Sequence, residues 1–118
     1  MIIEKDILHT GLIISLNQYK SLNWSKLKML VDRLKLQLQV LLINTKLPKL
    51  KYIEIRIFFN SRHDIDNIVG TSKVFVDCLR AQRVVPDDTK GFFDYMSIAF
   101  DPKMKKKTIL FKITGEIA

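Results

Sequence analysis

The stretch Tyr52-Ile53-Glu54-Ile55-Arg56-Ile57-Phe58-Phe59 alternates in character with a period of two. Successive side chains of a strand point to opposite faces, so this pattern is a strand with one face made for a core. Asn60-Ser61-Arg62 ends it, and His63-Asp64-Ile65-Asp66-Asn67 follows at once. Helical spacing then takes over. A helix is expected from near Asn67 or Ser72 to about Arg83, burying Phe75, Cys78 and Leu79. Pro86-Asp87-Asp88 reads as a turn. Phe93 to Phe100 and Thr108 to Ile113 read as two further strands, joined by an exposed basic hairpin loop from Pro102 to Lys107.

Upstream, residues 2–16 are rich in isoleucine and leucine with Gly11 among them, which fits a strand or bent hairpin better than a helix. Asn17 to Asn23 is polar and turn-like. From Trp24, apolar residues recur at three- and four-residue steps: Trp24, Leu27, Leu30 or Val31, Leu34, Leu38 and Leu41. Ser25 or Asn23 can cap the start of that helix, which should fade before Pro48. The order β-α-β-α-β-β implies an α+β fold: a mixed sheet of about four strands with two main helices packed on one face.

At 118 residues, 47% hydrophobic and 27% charged, the chain is expected to form a single globular domain over 1–118 with its own core. One cysteine, Cys78, excludes an intrachain disulfide and points to a reducing compartment. The longest strictly apolar run, Val40-Leu41-Leu42-Ile43, is far short of the ~20 residues that span a bilayer. Acids at Glu4 and Asp6 stand where a signal peptide would carry basic residues, so the expectation is a cytoplasmic protein.

Charge is unevenly spread. The chain carries 20 Lys and Arg against 12 Asp and Glu, a net of +8, which favours a polyanionic partner and nucleic acid before membrane. Residues 64–101 hold seven acids and four bases, a net of −3, and the remainder holds 16 bases and five acids, a net of +11. Carboxylates beside a polyanion make sense if a divalent cation sits between them. The alternative is that several of these aspartates are caps and turn residues. Asp64-x-Asp66 follows a strand, where side chains two apart can converge on one ion if the backbone bends. Lys73 and Asp77, four apart, can pair on a helix face. His63 is a conceivable ligand or a solvated neighbour of one, His9 has no visible partner, and Cys78 reads as core. No CxxC, P-loop or GxGxxG spacing occurs, which argues against zinc-finger, NTPase and dinucleotide-binding proteins.

Taken together, Asp64-Ile65-Asp66-Asn67, then Lys73-Val74-Phe75-Val76-Asp77-Cys78-Leu79, then Val84-Val85-Pro86-Asp87-Asp88, resemble the RusA family of Holliday junction resolvases. That family shows D-x-D-N after a strand, K-x-x-x-D-x-L on a helix, and a hydrophobic turn ending in D-D. Ser15-Leu16-Asn17-Gln18-Tyr19 and Asn23-Trp24 resemble its early segment, so the likeness covers most of residues 15–100. The chain departs from the pattern at one position: the family's lysine stands four residues after the second Asp, where this chain has Gly70. Counted back from Asp77, Lys73 fits, which implies about three extra residues within Ile68–Ser72.

The resemblance implies a Mg²⁺-dependent endonuclease (Mn²⁺ a plausible substitute) that acts as a homodimer on branched DNA, with no small-molecule cofactor. Asp64, Asp66 and Asp88 would bind the metal with Asp87 in support, and Lys73 would add positive charge at the scissile phosphate. Arg62, Lys103, Lys105, Lys106 and Lys107 are expected to contact DNA. The competing expectation is a non-catalytic nucleic-acid-binding module, or a resolvase relative that has lost turnover.

Overall fold

A computed structural model describes residues 1–62, 65–85 and 93–118 of the chain. Its elements are β1 (Ile2–His9), α1 (Leu16–Ser21), α2 (Trp24–Thr45), β2 (Leu50–Asn60), α3 (Ile65–Ala81), β3 (Phe93–Phe100) and β4 (Thr108–Ile117). The four strands form one mixed sheet in the order β1-β4-β2-β3. β4 runs antiparallel to both β1 and β2, and β3 lies parallel to β2. This is the α+β sheet-and-two-helix architecture that the periodicities imply, with α1 as a short addition.

Alternation decides which face is buried. Ile53, Ile55, Ile57 and Phe59 of β2 are buried, as are Ile109, Phe111 and Ile113 of β4 and Ile7 of β1. Register aligns them across the sheet, with Ile7 opposite Phe111, Phe111 opposite Ile57, and Ile57 opposite Ile98. Leu34, Leu38 and Leu42 of α2 and Ile68, Val74, Phe75, Cys78 and Leu79 of α3 complete the core. At its centre the Phe75 and Phe111 rings stack, centroids 3.8 Å apart and 5° from parallel. Gly115 of β4 has no room for a side chain: a methyl group there would stand 2.7 Å from the Tyr52 carbonyl oxygen. The register of the two strands shifts at the same point, between Leu50 and Tyr52.

Three expectations need correction. The first concerns residues 2–23: the strand stops at His9, and the polar run after it is a helix, α1. A capping box explains this. Ser15 Oγ accepts from the Gln18 amide at 3.1 Å, and Gln18 Oε1 accepts from the Ser15 amide at 2.9 Å, so two helix-end donors are satisfied reciprocally. The second concerns α2. Asn23 does cap it, accepting from the Lys26 amide, but the buried stripe is Leu34, Leu38 and Leu42, and Trp24 is 74% exposed. The third concerns the basic loop. Residues 101–107 do not make a hairpin, because β2 lies between β3 and β4. The loop crosses the end of β2 instead, where the Lys107 amide donates to the Asn60 carbonyl, Asn60 Nδ2 donates to the Met104 carbonyl, and the Asp101 amide donates to the Phe59 carbonyl.

Among the described residues, no helix is long and apolar enough to cross a membrane.

Candidate functional site

β2 delivers the chain to the acidic motif. Asn60 is its last residue, Ser61 and the exposed Arg62 follow, and α3 opens at Ile65 with Asp66 as its second residue. Asp64, Asp87, Asp88 and His63 lie outside the described residues, and for Asp66 the structure describes the helical backbone alone. Among the described residues no three His, Cys, Asp or Glu side chains form a metal-ligand group.

α3 runs unbroken from Ile65 to Ala81, which fixes where Lys73 stands relative to Asp66 around the helix. At 100° per residue, a position seven residues after Asp66 lies within about 20° of it around the helix, and one four residues after lies within about 40°. Lys73 therefore shares the helix face of Asp66, about two turns further along. Lys73 is exposed. Side chains of a helix lean toward its N-terminus, so Lys73 leans toward the Asp66 end. Asp77 takes Arg80 as its ion partner (Nη1 to Oδ1, 3.4 Å), where the four-residue spacing had suggested Lys73.

α3 also carries the chain back along the sheet. The Val84 carbonyl accepts from the Leu50 amide at 2.9 Å, so Val84 and the buried Val85 dock at the start of β2. Asn60, at the other end, leads into Asp64 and Asp66.

The basic residues gather at that same end of β2. Arg62, Lys103, Lys105, Lys106 and Lys107 are all exposed. The three hydrogen bonds between the 101–107 loop and Phe59 and Asn60 hold the loop at this end, and Lys106 and Lys107 line one cleft with Arg62. Asp101 closes the turn, its Oδ1 accepting from the Lys103 amide at 2.9 Å. Lys107 holds φ at 63°, a left-handed conformation that a lysine keeps only where the surroundings impose it.

Facing the loop, residues 11–13 form the other wall of a cleft, and polar groups that sequence periodicity misses hold this segment there. Thr71 Oγ1 accepts from the Ile14 amide at 2.8 Å and donates to the Ile14 carbonyl at 3.2 Å. Gln37 Oε1 accepts from the Leu12 amide at 2.8 Å, and His9 Nε2 donates to the Leu12 carbonyl at 2.7 Å. His9, which seemed partnerless in the sequence, thus ties β1 to this wall.

Burial lowers the His9 pKa below its ordinary 6.5, more than the Leu12 carbonyl raises it. The unfolded chain therefore takes up this proton more readily than the folded one. The His9 contribution is intact above pH 6.5 and is lost as pH falls through the lower folded value. Denaturant midpoints should drop between pH 7.5 and 5.5, and His9→Gln should reduce that drop. An equal drop in both proteins would assign the pH dependence to other groups. Cys78 is inert by contrast: burial raises its thiol pKa to about 11, so it is core, as expected.

No protein-family model matches this chain, and no curated protein matches it in sequence.

Proposed function

We propose that the protein is a Mg²⁺-dependent endodeoxyribonuclease that resolves four-way DNA junctions as a homodimer. The observation that carries this reading is a juxtaposition: five exposed cations surround the end of β2 from which the chain runs directly into Asp64-Ile65-Asp66. A purely phosphate-binding surface gains nothing from carboxylates there.

The donor chemistry fits the metal, since Mg²⁺ takes hard oxygen ligands from one or two carboxylates together with substrate phosphate. Asp66, opening a helix at a strand end, is in a position suited to that role. Bound Mg²⁺ would supply a water of lowered pKa and charge to stabilise the phosphorane. Asp64, Asp66 and Asp88 would hold it, with Asp87 in support. Lys73 would add a positive charge beside the phosphate. Arg62 and the loop lysines hold the arms of the junction through a sequence-independent, salt-sensitive attraction.

Two identical sites across a two-fold axis suit a junction that needs two symmetric cuts. The outer face of α2 has an apolar stripe that a second copy can cover, with Met29, Leu36, Val40 and Ile43 each at least 56% exposed.

The test is cleavage of a synthetic four-way junction and a cruciform plasmid with Mg²⁺, with Mn²⁺ and with EDTA. Metal-dependent paired cuts support the reading. Salt-sensitive binding with no cut in any metal would make the protein a binding module, and uncoupled single nicks would remove the dimer from the reading. In the same assay, replacing Lys103, Lys105, Lys106 and Lys107 together by Ser should weaken junction binding. It should also flatten the slope of log K against log salt by up to ~0.9 for each phosphate that is no longer neutralised. An unchanged slope would make these lysines an ordinary solvated turn.

A further inference from the structure

We infer that the cleft between residues 11–13 and the end of β2 is a single-strand subsite in which Phe100 stacks one unpaired base and Lys106, Lys107 and Arg62 hold its flanking phosphates. This rests on the DNA reading for the identity of the strand, and adds to it an aromatic platform.

The cleft encloses about 640 Å³, room for a nucleotide. Its floor and rim include Leu12, Asn60, Arg62, Phe100, Lys106 and Lys107, and among the described residues every ionisable side chain lining it is basic. Phe100 is the last residue of β3 and 53% exposed. Its position in the register puts it on the core side of the sheet, opposite Phe59. The two rings meet edge to face, centroids 5.7 Å apart and 63° between planes, and Phe59 is buried. Phe100 is thus braced from within and open toward the cleft. An exposed ring anchored in this way, beside three cations, combines the two parts of a single-strand site: a π-surface for any base and charge for the backbone.

The backbone of both walls is held in place. Lys107 is held in its left-handed conformation with its amide on the Asn60 carbonyl, and the opposite wall is tied to α3 through Thr71 and Ile14. A subsite whose walls are set before binding loses less freedom when a strand enters. Arg62 lies two residues before Asp64 in the chain, so the subsite adjoins in sequence the segment that carries the acidic motif.

The experiment measures anisotropy of a labelled 12-residue oligothymidylate and of an abasic 12-mer carrying the same phosphates. The wild-type protein should bind the oligothymidylate about tenfold more tightly, the gain expected from stacking one base. Phe100→Leu keeps the packing on Phe59 and should bring the two affinities together, while Phe100→Tyr should retain the difference. Lys106→Gln with Lys107→Gln should weaken both oligomers alike and lower the salt slope by about 1.4, at ~0.7 for each single-strand phosphate. Equal wild-type affinity for the two oligomers, or a Phe100→Leu protein as selective as Phe100→Tyr, would overturn the subsite. The outcome is separable from the nuclease reading. Stacking without metal-dependent junction cleavage defeats that reading alone, and cleavage with no role for Phe100 defeats this one alone.

Discussion

Asp66→Asn is expected to abolish Mg²⁺-dependent junction cleavage while leaving junction binding intact or tighter. The same outcome is expected for Asp64→Asn and Asp88→Asn. Asn keeps the shape of the side chain and removes the charge that a hard cation requires. Metal activation of water and charge stabilisation at phosphorus are worth several kcal/mol together, so the rate should fall by about a thousandfold or more. Binding moves the other way because a negative charge beside phosphate has gone. The measurement is single-turnover cleavage set against gel-shift affinity for the same junction. A variant that binds tighter and still cuts at the wild-type rate would dismiss that aspartate from the metal set. Asn60 and Val85 lie at opposite ends of β2, so the two acidic segments leave the described fold far apart. Mixing Asp66→Asn with Asp88→Asn subunits tells how the set is shared. Recovered cleavage means that one site draws on both copies, and silence means that each chain holds its own.

Fold class and element order were legible because they rest on periodicity. The alternation of Tyr52 to Phe59 and the buried face of Phe75, Cys78 and Leu79 need no knowledge of neighbours, and the structure has both. Strand order was not legible in the same way. The pattern of β3, a short connection and β4 suggests a hairpin, and nothing local says that β2 will insert between them. That depends on tertiary pairing, in which β4 finds partners on both sides in β1 and β2. α1 escapes a periodicity reading for a different reason: a six-residue helix has too few turns to register, and its one signal was the Ser15-x-x-Gln18 box.

The candidate site divides along similar lines. Its charged members could be read from composition and the spacing of aspartates. Phe100 could not, because a strand-terminal aromatic in a run of apolar residues looks like core until its exposure is known. The wall at residues 11–13 was equally hidden, since its segment depends on Gln37, Thr71 and His9, polar residues from three elements that meet only in the folded chain.

Phe111→Ala is the substitution expected to cost the fold most. Phe111 is fully buried on β4, a strand paired on both sides, and its ring stacks on Phe75 of α3. Truncation removes the joint between sheet and helix and leaves a cavity that neighbours pinned in a sheet cannot collapse to fill. Such losses run to about 3–5 kcal/mol, against a total stability of about 5–15 kcal/mol for a domain. Phe111→Leu keeps most of the volume and should cost about 1.5 kcal/mol or less. Urea denaturation followed by far-UV circular dichroism measures both, and a cost below about 1 kcal/mol for Phe111→Ala would mean that the ring pair is not the centre of the core. The comparison with Asp66→Asn separates folding from chemistry. Domain stability is usually greatest near about 10–20 °C, so a Phe111→Ala protein that has lost activity through unfolding should regain a measurable share of cleavage on cooling into that range. Asp66→Asn should stay inactive at every temperature, with a denaturation midpoint close to wild type, because its loss lies in the charge at the phosphate and not in the population of the fold.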